Sequence, residues 1–168
     1  MTTEPNLTYI AGTASLPATT PPGIQLRPME VSDAVEIAEL WMTAYPPEVV
    51  GGESVATVEA DIVAAMDGEY GPFLQSASPI AMRADGAIVG SLQTVADTSW
   101  DRTPRGPFIL DIFVSPDARR SGVARVLLRF AKDALHAQGM GTVGLRVLRD
   151  NEAARGLYES EDFREWRP

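Results

Sequence analysis

Apolar residues recur along the chain at two different spacings, and these spacings divide it into helices and strands. A repeat close to 3.6 residues predicts helices over residues 32–45, 53–68, 122–139 and 150–162. Short alternating or continuous apolar runs predict strands over residues 23–30, 79–97, 108–114, 141–148 and 163–166. The dipeptide Asp85-Gly86 divides the second of these runs into a hairpin of two strands.

The predicted elements follow one another in the order β-α-α-β-β-β-α-β-α-β. Strand, helix and strand alternate over residues 108–148, which favours parallel pairing of 108–114 with 141–148 through a right-handed crossover. Tight turns join the earlier strands, so those strands are expected to be antiparallel. We therefore expect an α/β protein of mixed α+β type, with a mostly antiparallel central sheet and helices on both faces.

The first 22 residues differ in composition from the rest of the chain. They are rich in Thr, Pro, Ala and Ser, and "LPATTPPG" is typical of a linker. We expect residues 1–22 to form a flexible tail, and the apolar stretch Leu7–Ala11 leaves open a docked strand within it. Residues 23–168 are long enough to form one domain with its own core.

The chain carries a net charge of −9, from 23 acidic and 14 basic residues. Nucleic acids and anionic membranes bind through clustered cations, so neither is an expected partner. An acidic surface suits a cationic substrate, although it is also common among proteins with no such partner. The charge therefore narrows the class of partner without naming one.

The chain has no cysteine and a single histidine, His136. This composition excludes thiol catalysis, disulfides and cysteine-ligated or multi-histidine metal sites, so we expect no metal. No run reaches the roughly 18 apolar residues of a membrane span, and no signal-peptide pattern is present. We therefore expect a cytoplasmic protein.

The segment "VSPDARRSGVARVLLRF" joins the end of a strand to the start of a long helix. N–H groups in a first helical turn lack intrahelical acceptors, and the helix dipole adds about half a positive charge there. Gly122 allows a ligand to approach the backbone closely. The turn is either a cradle for a pyrophosphate group or an ordinary turn with solvated arginines. The cradle would use Arg119, Arg120, Ser121, Gly122, Ala124 and Arg125.

Two segments resemble the motifs of one family. "VSPDARRSGVARVLL" resembles the acyl-CoA signature of the GNAT superfamily of N-acetyltransferases, with Arg119, Gly122 and Ala124 at the signature positions. "NEAARGLYESEDF" resembles the second motif of that superfamily. Because both motifs occur in order and at the family's separation, the resemblance is specific, and it extends over residues 24–167.

The chain departs from the family pattern at two places. The glycine of the second motif is replaced by Asp162, a residue that tolerates the left-handed end of a helix. The family usually adds one more strand after "FREW", and this final strand is missing from the sequence after residues 163–166. Either Leu7–Ala11 or a partner chain, as in a homodimer, could take its place.

The resemblance implies transfer of an acetyl group from acetyl-CoA to a primary amine of a small molecule or peptide. It places the pyrophosphate of coenzyme A on the N–H groups of Arg120 to Arg125, including Val123. The pantetheine arm is expected beside Ile112, Phe113 and Val114, with the thioester carbonyl near the Val114 N–H. A backbone N–H at that point can stabilise a tetrahedral oxyanion.

Three further residues have a functional and a structural interpretation. Asn151 either bonds the pantetheine arm or caps the last helix. Tyr158 fits the general acid of the family, which protonates the departing thiolate, and is otherwise a tyrosine packed on a helix face. Asp111 stands in an apolar strand, as a base, an ammonium anchor or a structural acceptor.

The residues that would line the binding site of the acceptor amine come from the family resemblance, and two functions remain open. The family resemblance assigns acceptor specificity to the early helices and the loop before residue 108. Its candidates are Trp41, Tyr45, Glu48, Glu53 and Trp100. The leading function is an N-acetyltransferase with an amine acceptor, and the alternative is a non-catalytic acyl-CoA-binding sensor or partner module.

Overall fold

Seven strands and five helices form the part of the chain that the computed structural model describes, residues 5–15 and 19–168. The strands are β1 (Asn6–Gly12), β2 (Ile24–Pro28), β3 (Pro79–Arg83), β4 (Ile88–Val95), β5 (Phe108–Val114), β6 (Thr142–Leu148) and β7 (Arg164–Glu165). The helices are α1 (Ala34–Ala44), α2 (Pro47–Val50), α3 (Val55–Met66), α4 (Val123–Ala137) and α5 (Glu152–Ser160). Residues 1–4 and 16–18 of the predicted tail lie outside the described residues.

The strands form a single sheet in the order β2-β3-β4-β5-β6-β1-β7. Neighbouring strands are antiparallel, with the exception of β5 and β6, which are parallel as predicted. The expected class, an α/β protein with a mostly antiparallel sheet, is therefore confirmed. The short helix α2 has no predicted counterpart. It begins at Pro47, where a helix needs no N–H from its first residue.

Helices cover both faces of the sheet because successive strand residues point to opposite sides. Ile80 and Phe113 face the core that includes residues of α1 and α3, and their neighbours Ala81 and Val114 face the core beneath α4. A Cβ atom at Gly90 would lie 3.0 Å from side-chain atoms of both Val123 and Leu127, so this glycine allows α4 to approach the sheet. No helix in the described ranges is long and apolar enough to cross a membrane.

The N-terminal strand lies inside the sheet, between β6 and β7. It pairs with β6 along its whole length, from Asn6 opposite Leu148 to Gly12 opposite Thr142. Its alternate residues Leu7, Tyr9 and Ala11 are buried. Residues 6–12 therefore form the docked strand that the sequence left open at Leu7–Ala11, and not a flexible tail, because these alternating apolar side chains complete the core.

With β1 in place, the sheet reaches seven strands from this chain alone. The strand that the family pattern adds after "FREW" is thus matched in number by a strand from the other end of the sequence. The division between a tail and a domain at residue 23 needs the same correction. The reason for expecting a homodimer, an unfilled place in the sheet, no longer applies.

Strands β5 and β6 pair over a short distance and then separate. Their only pairs are Phe108 with Gly144 and Ile109 with Leu145. On the other side of β5, Gln93 lies opposite Asp111 and Thr94 opposite Ile109, so Leu110 is the extra residue of a β-bulge. A bulge bends and twists its strand, which accounts for the gap that opens beyond Ile109.

Candidate active site

The backbone of β5 presents hydrogen-bonding groups to the gap between β5 and β6. The Ser115 N–H donates to the Val89 carbonyl at 2.8 Å, on the side of β4. Because N–H directions alternate along a strand, the N–H groups of Ile112 and Val114 point to the opposite side, into the gap, where the Ile112 N–H also hydrogen-bonds the Asp111 carboxylate. The strand edge to which we assigned the pantetheine arm is therefore available for pairing with an extended ligand.

The turn before α4 has the backbone of an anion cradle. Gly122 has φ of +90° and Arg120 has φ of +59°, both in the left-handed region. The first intrahelical bond runs from the Val126 N–H to the Gly122 carbonyl at 3.1 Å. The N–H groups of the residues before Val126 in the first turn therefore lack a helical acceptor and lie at the positive end of the helix dipole.

The three arginines around this turn have different surroundings. The Arg119 guanidinium donates to the carbonyl of Ala44, at the end of α1, so it links two parts of the fold. The Arg125 guanidinium lies 2.8 Å from the carboxylate of Glu161, which follows α5. The remaining cation, Arg120, is exposed. The side chains of Arg119 and Arg125 are thus engaged within the protein.

The other predicted residues of the turn support its shape. The Ser121 hydroxyl donates to the Ala118 carbonyl, Val123 is 1% exposed, and Ala124 packs against the core. Pro21, in the segment before β2, borders the turn, because a Cβ atom at Gly122 would lie 3.6 Å from its Cγ. These contacts fix the start of α4 relative to the sheet.

The second motif has the local structure expected of it. The Asn151 side chain accepts a hydrogen bond from the Ala154 N–H at 3.1 Å, which caps α5. Asp162, which replaces the family's glycine, has φ of +67°. The departure at Asp162 therefore leaves the turn after α5 intact, since aspartate is one of the residues that enter the left-handed region.

Asp111 is held by two aromatic side chains of α1. The Trp41 indole N–H donates to one carboxylate oxygen at 3.2 Å, and the Tyr45 hydroxyl donates to the other. Burial raises the pKa of the Asp111 carboxyl, and the hydrogen bonds from Tyr45, Trp41 and the Ile112 N–H oppose that shift without cancelling it. The carboxyl is therefore a stronger base than an exposed aspartate.

Tyr158 lies near this carboxylate. Its ring is 6% exposed and packs against Phe163, with 5.8 Å between ring centroids. Burial, followed by the negative charge of Asp111, raises the pKa of the Tyr158 hydroxyl. That hydroxyl makes no hydrogen bond with the residues that the structure describes. Burial and the Asp111 charge likewise raise the pKa of the Tyr45 hydroxyl, so both tyrosine hydroxyls stay protonated beside the carboxylate.

A cleft of about 620 Å³ opens above Asp111, on the side of α1 and α3. Its walls carry aromatic and acidic side chains, and no Lys, Arg or His of the described residues lines it. The aromatic and acidic members are Trp41, Tyr70, Trp100, Glu53, Asp61 and Asp111. A cleft with this lining favours a cationic ligand, because carboxylates and aromatic faces both attract ammonium groups.

Only some of the residues predicted to line the acceptor site line the observed cleft. Trp41, Glu53 and Trp100 line the cleft, whereas Tyr45 reaches it through its bond to Asp111, and Glu48 is not part of the lining. Arg146, in β6, places its guanidinium carbon over the ring of Trp100, 5.5 Å from the ring centroid.

Sequence reasoning missed most of the lining, and three of the missed residues are Asp61, Tyr70 and Gln93. Asp61 accepts a hydrogen bond from the Tyr70 hydroxyl at 2.7 Å, and this bond raises the pKa of Tyr70 to about 12. Glu53 stands one residue before the N-cap Ser54 of α3 and Asp61 lies inside α3, so the helical repeat alone did not place the two carboxylates at one cleft. Gln93, a glutamine inside the buried strand β4, is the third. The described residues contain no group of three or more His, Cys, Asp or Glu placed to hold a metal ion.

Comparisons with known proteins agree with this geometry. A model of the acetyltransferase (GNAT) family matches residues 35–163. Over 57 residues the chain is 42% identical to the ribosomal protein bS18-alanine N-acetyltransferase of Escherichia coli K12, an alignment covering 34% of this chain and 38% of that protein. Over 97 residues it is 33% identical to streptothricin acetyltransferase of Streptomyces lavendulae, covering 58% of this chain and 49% of that protein. The chain thus spans less than half the length of either relative.

Among solved structures, the GCN5-related N-acetyltransferase from Sphaerobacter thermophilus has a TM-score of 0.67 with this chain. The match covers 97% of this chain and 52% of the other at 19% identity, which establishes the fold alone. The family model, in contrast, covers more than half of the chain and includes α1, the turn before α4 and α5. The chain therefore belongs to the acetyltransferase (GNAT) family.

Proposed function

We propose that this protein is an N-acetyltransferase that moves an acetyl group from acetyl-CoA directly to a primary amine, carried by a cationic small molecule or peptide. One observation carries the proposal. The gap between β5 and β6 opens beyond Ile109, along the part of β5 that carries Asp111 and leads to the turn at Gly122, and Tyr158 lies close enough to Asp111 for that carboxylate to raise its pKa. A donor bound at the turn and paired along β5 would bring its thioester to the mouth of the acidic cleft.

Each part of the donor has a matching surface on the chain. The unpaired N–H groups at the start of α4 suit a pyrophosphate, since helix N-termini bind phosphate groups. The free edge of β5 at Ile112 and Val114 suits the amide groups of pantetheine. The Val114 N–H is then the donor that stabilises the oxyanion on the thioester carbonyl during attack.

In the proposed transfer, one residue removes a proton from the amine and another supplies a proton to the departing thiolate. Asp111, with its raised pKa, takes one proton from the acceptor ammonium, and the nitrogen releases its second proton to solvent once it has bonded to the carbonyl carbon. The amine nitrogen bonds to the carbonyl carbon, and the carbon–sulfur bond breaks. Tyr158 donates its proton to the departing thiolate, which needs only a weak acid. The products are an N-acetyl amine and coenzyme A.

The acidic cleft supports a cationic acceptor. An amine acceptor is ammonium at neutral pH, and the cleft offers Glu53, Asp61 and Asp111 without a cation among the described residues. The names of the two relatives identify a ribosomal-protein alanine and streptothricin as acetylated groups. Both names agree with an amine acceptor while differing in its size and chemistry.

The alternative of a non-catalytic acyl-CoA-binding module rested on the missing final strand. Since β1 supplies a seventh strand, that reason no longer favours it. The two functions differ in one measurement, the release of free coenzyme A from acetyl-CoA with and without a panel of amines. We expect amine-dependent release, and acetyl-CoA binding without turnover on any amine would overturn the proposal.

A further inference from the structure

Gln93 is a buried amide that the fold itself does not use. It lies in β4, is 5% exposed, and lines the cleft above Asp111. Its side chain makes no hydrogen bond with the residues that the structure describes. Buried polar side chains are nearly always hydrogen-bonded, so an amide that faces a ligand cleft without a protein partner indicates a ligand-binding role.

The position of Gln93 relative to Asp111 is fixed by the sheet. The two residues are directly opposite one another in the antiparallel pair of β4 and β5. Side chains in such a pair leave the same face of the sheet, with Cβ atoms about 4.5–5.5 Å apart. Both oxygens of Asp111 already accept hydrogen bonds, from Trp41 and Tyr45, so Asp111 does not need the amide of Gln93.

We infer that Gln93 is a specificity-determining residue, and that it hydrogen-bonds an oxygen of the acceptor lying a short carbon spacer from the reacting amine. This inference rests on the proposed function, in which the amine is bound at Asp111. Because the two side chains leave the same face of the strand pair with Cβ atoms about 4.5–5.5 Å apart, the amide lies close to an amine held at Asp111 and can reach a group a short spacer away. An amide offers both a donor and an acceptor, so a hydroxyl or a carbonyl oxygen fits.

The substrate class that follows is a primary amine with a vicinal oxygen, such as an amino alcohol or an α-amino amide. A simple alkyl amine leaves the amide of Gln93 buried without a partner once it displaces solvent from the cleft floor. A site built to hydrogen-bond a substrate group discriminates strongly against the analogue that lacks it, because its own polar group is then left unpaired.

The test compares acceptors of the same shape that differ in the oxygen. One pair is 2-amino-1-propanol and sec-butylamine, and the other is alaninamide and 3-methyl-2-butanamine. For each pair, the ratio of kcat/KM is measured in the natural protein and in Gln93→Met. Differences in amine basicity occur in both proteins and cancel when the two ratios are compared. The pair with the larger change identifies a hydroxyl or a carbonyl as the recognised oxygen.

We expect the preference for the oxygen-bearing acceptor to fall by about tenfold or more in Gln93→Met. Ser91→Ala is the matched control, because Ser91 is also buried and without a hydrogen-bond partner but does not line the cleft. It should leave the ratios unchanged. Equal ratios in the natural protein and Gln93→Met would overturn the inference. Gln93→Leu is a second variant without the amide, and the thermal midpoints of all variants show whether each one is folded. Misfolding would lower every rate without changing a ratio.

Calorimetry with the same acceptors in the presence of coenzyme A separates this inference from the proposed function. Binding that prefers the oxygen-bearing acceptor and loses this preference in Gln93→Met supports the inference even if no acetyl group is transferred, which would overturn the function alone. Turnover without any such preference overturns the inference alone. If the protein shows no turnover and no preferential binding, both the inference and the proposed function are overturned.

Discussion

The Tyr45 hydroxyl donates a hydrogen bond to the carboxylate of Asp111, and this bond joins the end of α1 to the middle of β5. Trp41, one helical turn earlier, donates to the other oxygen of the same carboxylate. Both bonds favour the charged carboxylate and therefore lower its pKa, whereas burial raises it by more. The ionisation of the proposed base is thus set by a balance that single substitutions can shift.

Tyr45→Phe removes one of the three hydrogen bonds, from Tyr45, Trp41 and the Ile112 N–H, that lower the pKa of Asp111. The acidic limb of the pH profile of kcat/KM should therefore move to higher pH, because the uncharged carboxyl is favoured. Tyr70→Phe is the control, since the Tyr70 hydroxyl donates to Asp61 and not to Asp111. An acidic limb at the same pH in Tyr45→Phe and the natural protein would exclude Asp111 as the group that titrates.

Asp111→Asn tests the same carboxylate through stability. Because the folded protein holds the proton more tightly than the unfolded chain, ionisation of Asp111 costs stability from pH of about 4 upward. The variant has no such cost. Its Tm minus that of the natural protein should increase as pH rises above about 4, the pKa of an unfolded aspartate, and should be smallest below it. A difference that stays constant from pH 4 to the raised folded pKa would contradict the burial of the charge.

Tyr158→Phe removes the proposed acid and leaves its ring in place. We expect kcat to fall by about 10²-fold or more, with little change in the dissociation constant of coenzyme A. The Tm should hold, because the hydroxyl makes no hydrogen bond with the described residues. Steady-state kinetics and calorimetry measure the two quantities. Unchanged turnover would mean that the thiolate leaves without this acid.

Gly122→Val and Arg120→Ala separate the backbone of the turn from its cations. Valine does not tolerate the φ of +90° at Gly122, so the turn must rearrange and coenzyme A binding should weaken by about tenfold or more. Arg120 is an exposed cation, so its removal should weaken binding by less than about fivefold. Calorimetry with coenzyme A measures both constants. The opposite order of effects would assign the binding to the guanidinium.

Leu7→Ala tests the place of the N-terminal strand. Leu7 is 5% exposed in the core, and truncation of such a leucine costs about 2–5 kcal/mol of unfolding free energy. Val31→Ala is the control, because Val31 is 58% exposed and should cost little. Denaturant unfolding measures both. Equal small effects would mean that residues 6–12 are the flexible tail that their composition suggests.

Most of the fold could be predicted from the sequence because its helices and strands are determined by local residue patterns. The apolar run Phe108–Val114 and the amphipathic repeat of α4 each specify one structure with bounds close to those observed. The N-terminal strand was not readable with the same certainty. Seven residues beside a Pro- and Thr-rich linker fit either a tail or a strand, and only the unpaired edges of β6 and β7 decide between them.

The candidate site also has a part that could be predicted from the sequence and a part that could not. The motif residues around Gly122 and Asn151 adopt the turn and the cap that their sequence predicts, because both depend on neighbouring residues. Contacts between distant elements were beyond the sequence. The bonds from Trp41 and Tyr45 to Asp111, the engagement of Arg119 by α1 and the exposure of Gln93 to the cleft all depend on how α1 packs against the sheet.

The central claim is that the acetyl donor is held along the free edge of β5, with its thioester beside the Val114 N–H. Amide hydrogen exchange measured with and without acetyl-CoA tests it most directly. We predict slower exchange at Ile112 and Val114 and at the N–H groups of the first turn of α4, with no change at the outer strand β2. Unchanged exchange at Ile112 and Val114 in protein saturated with acetyl-CoA would contradict the account.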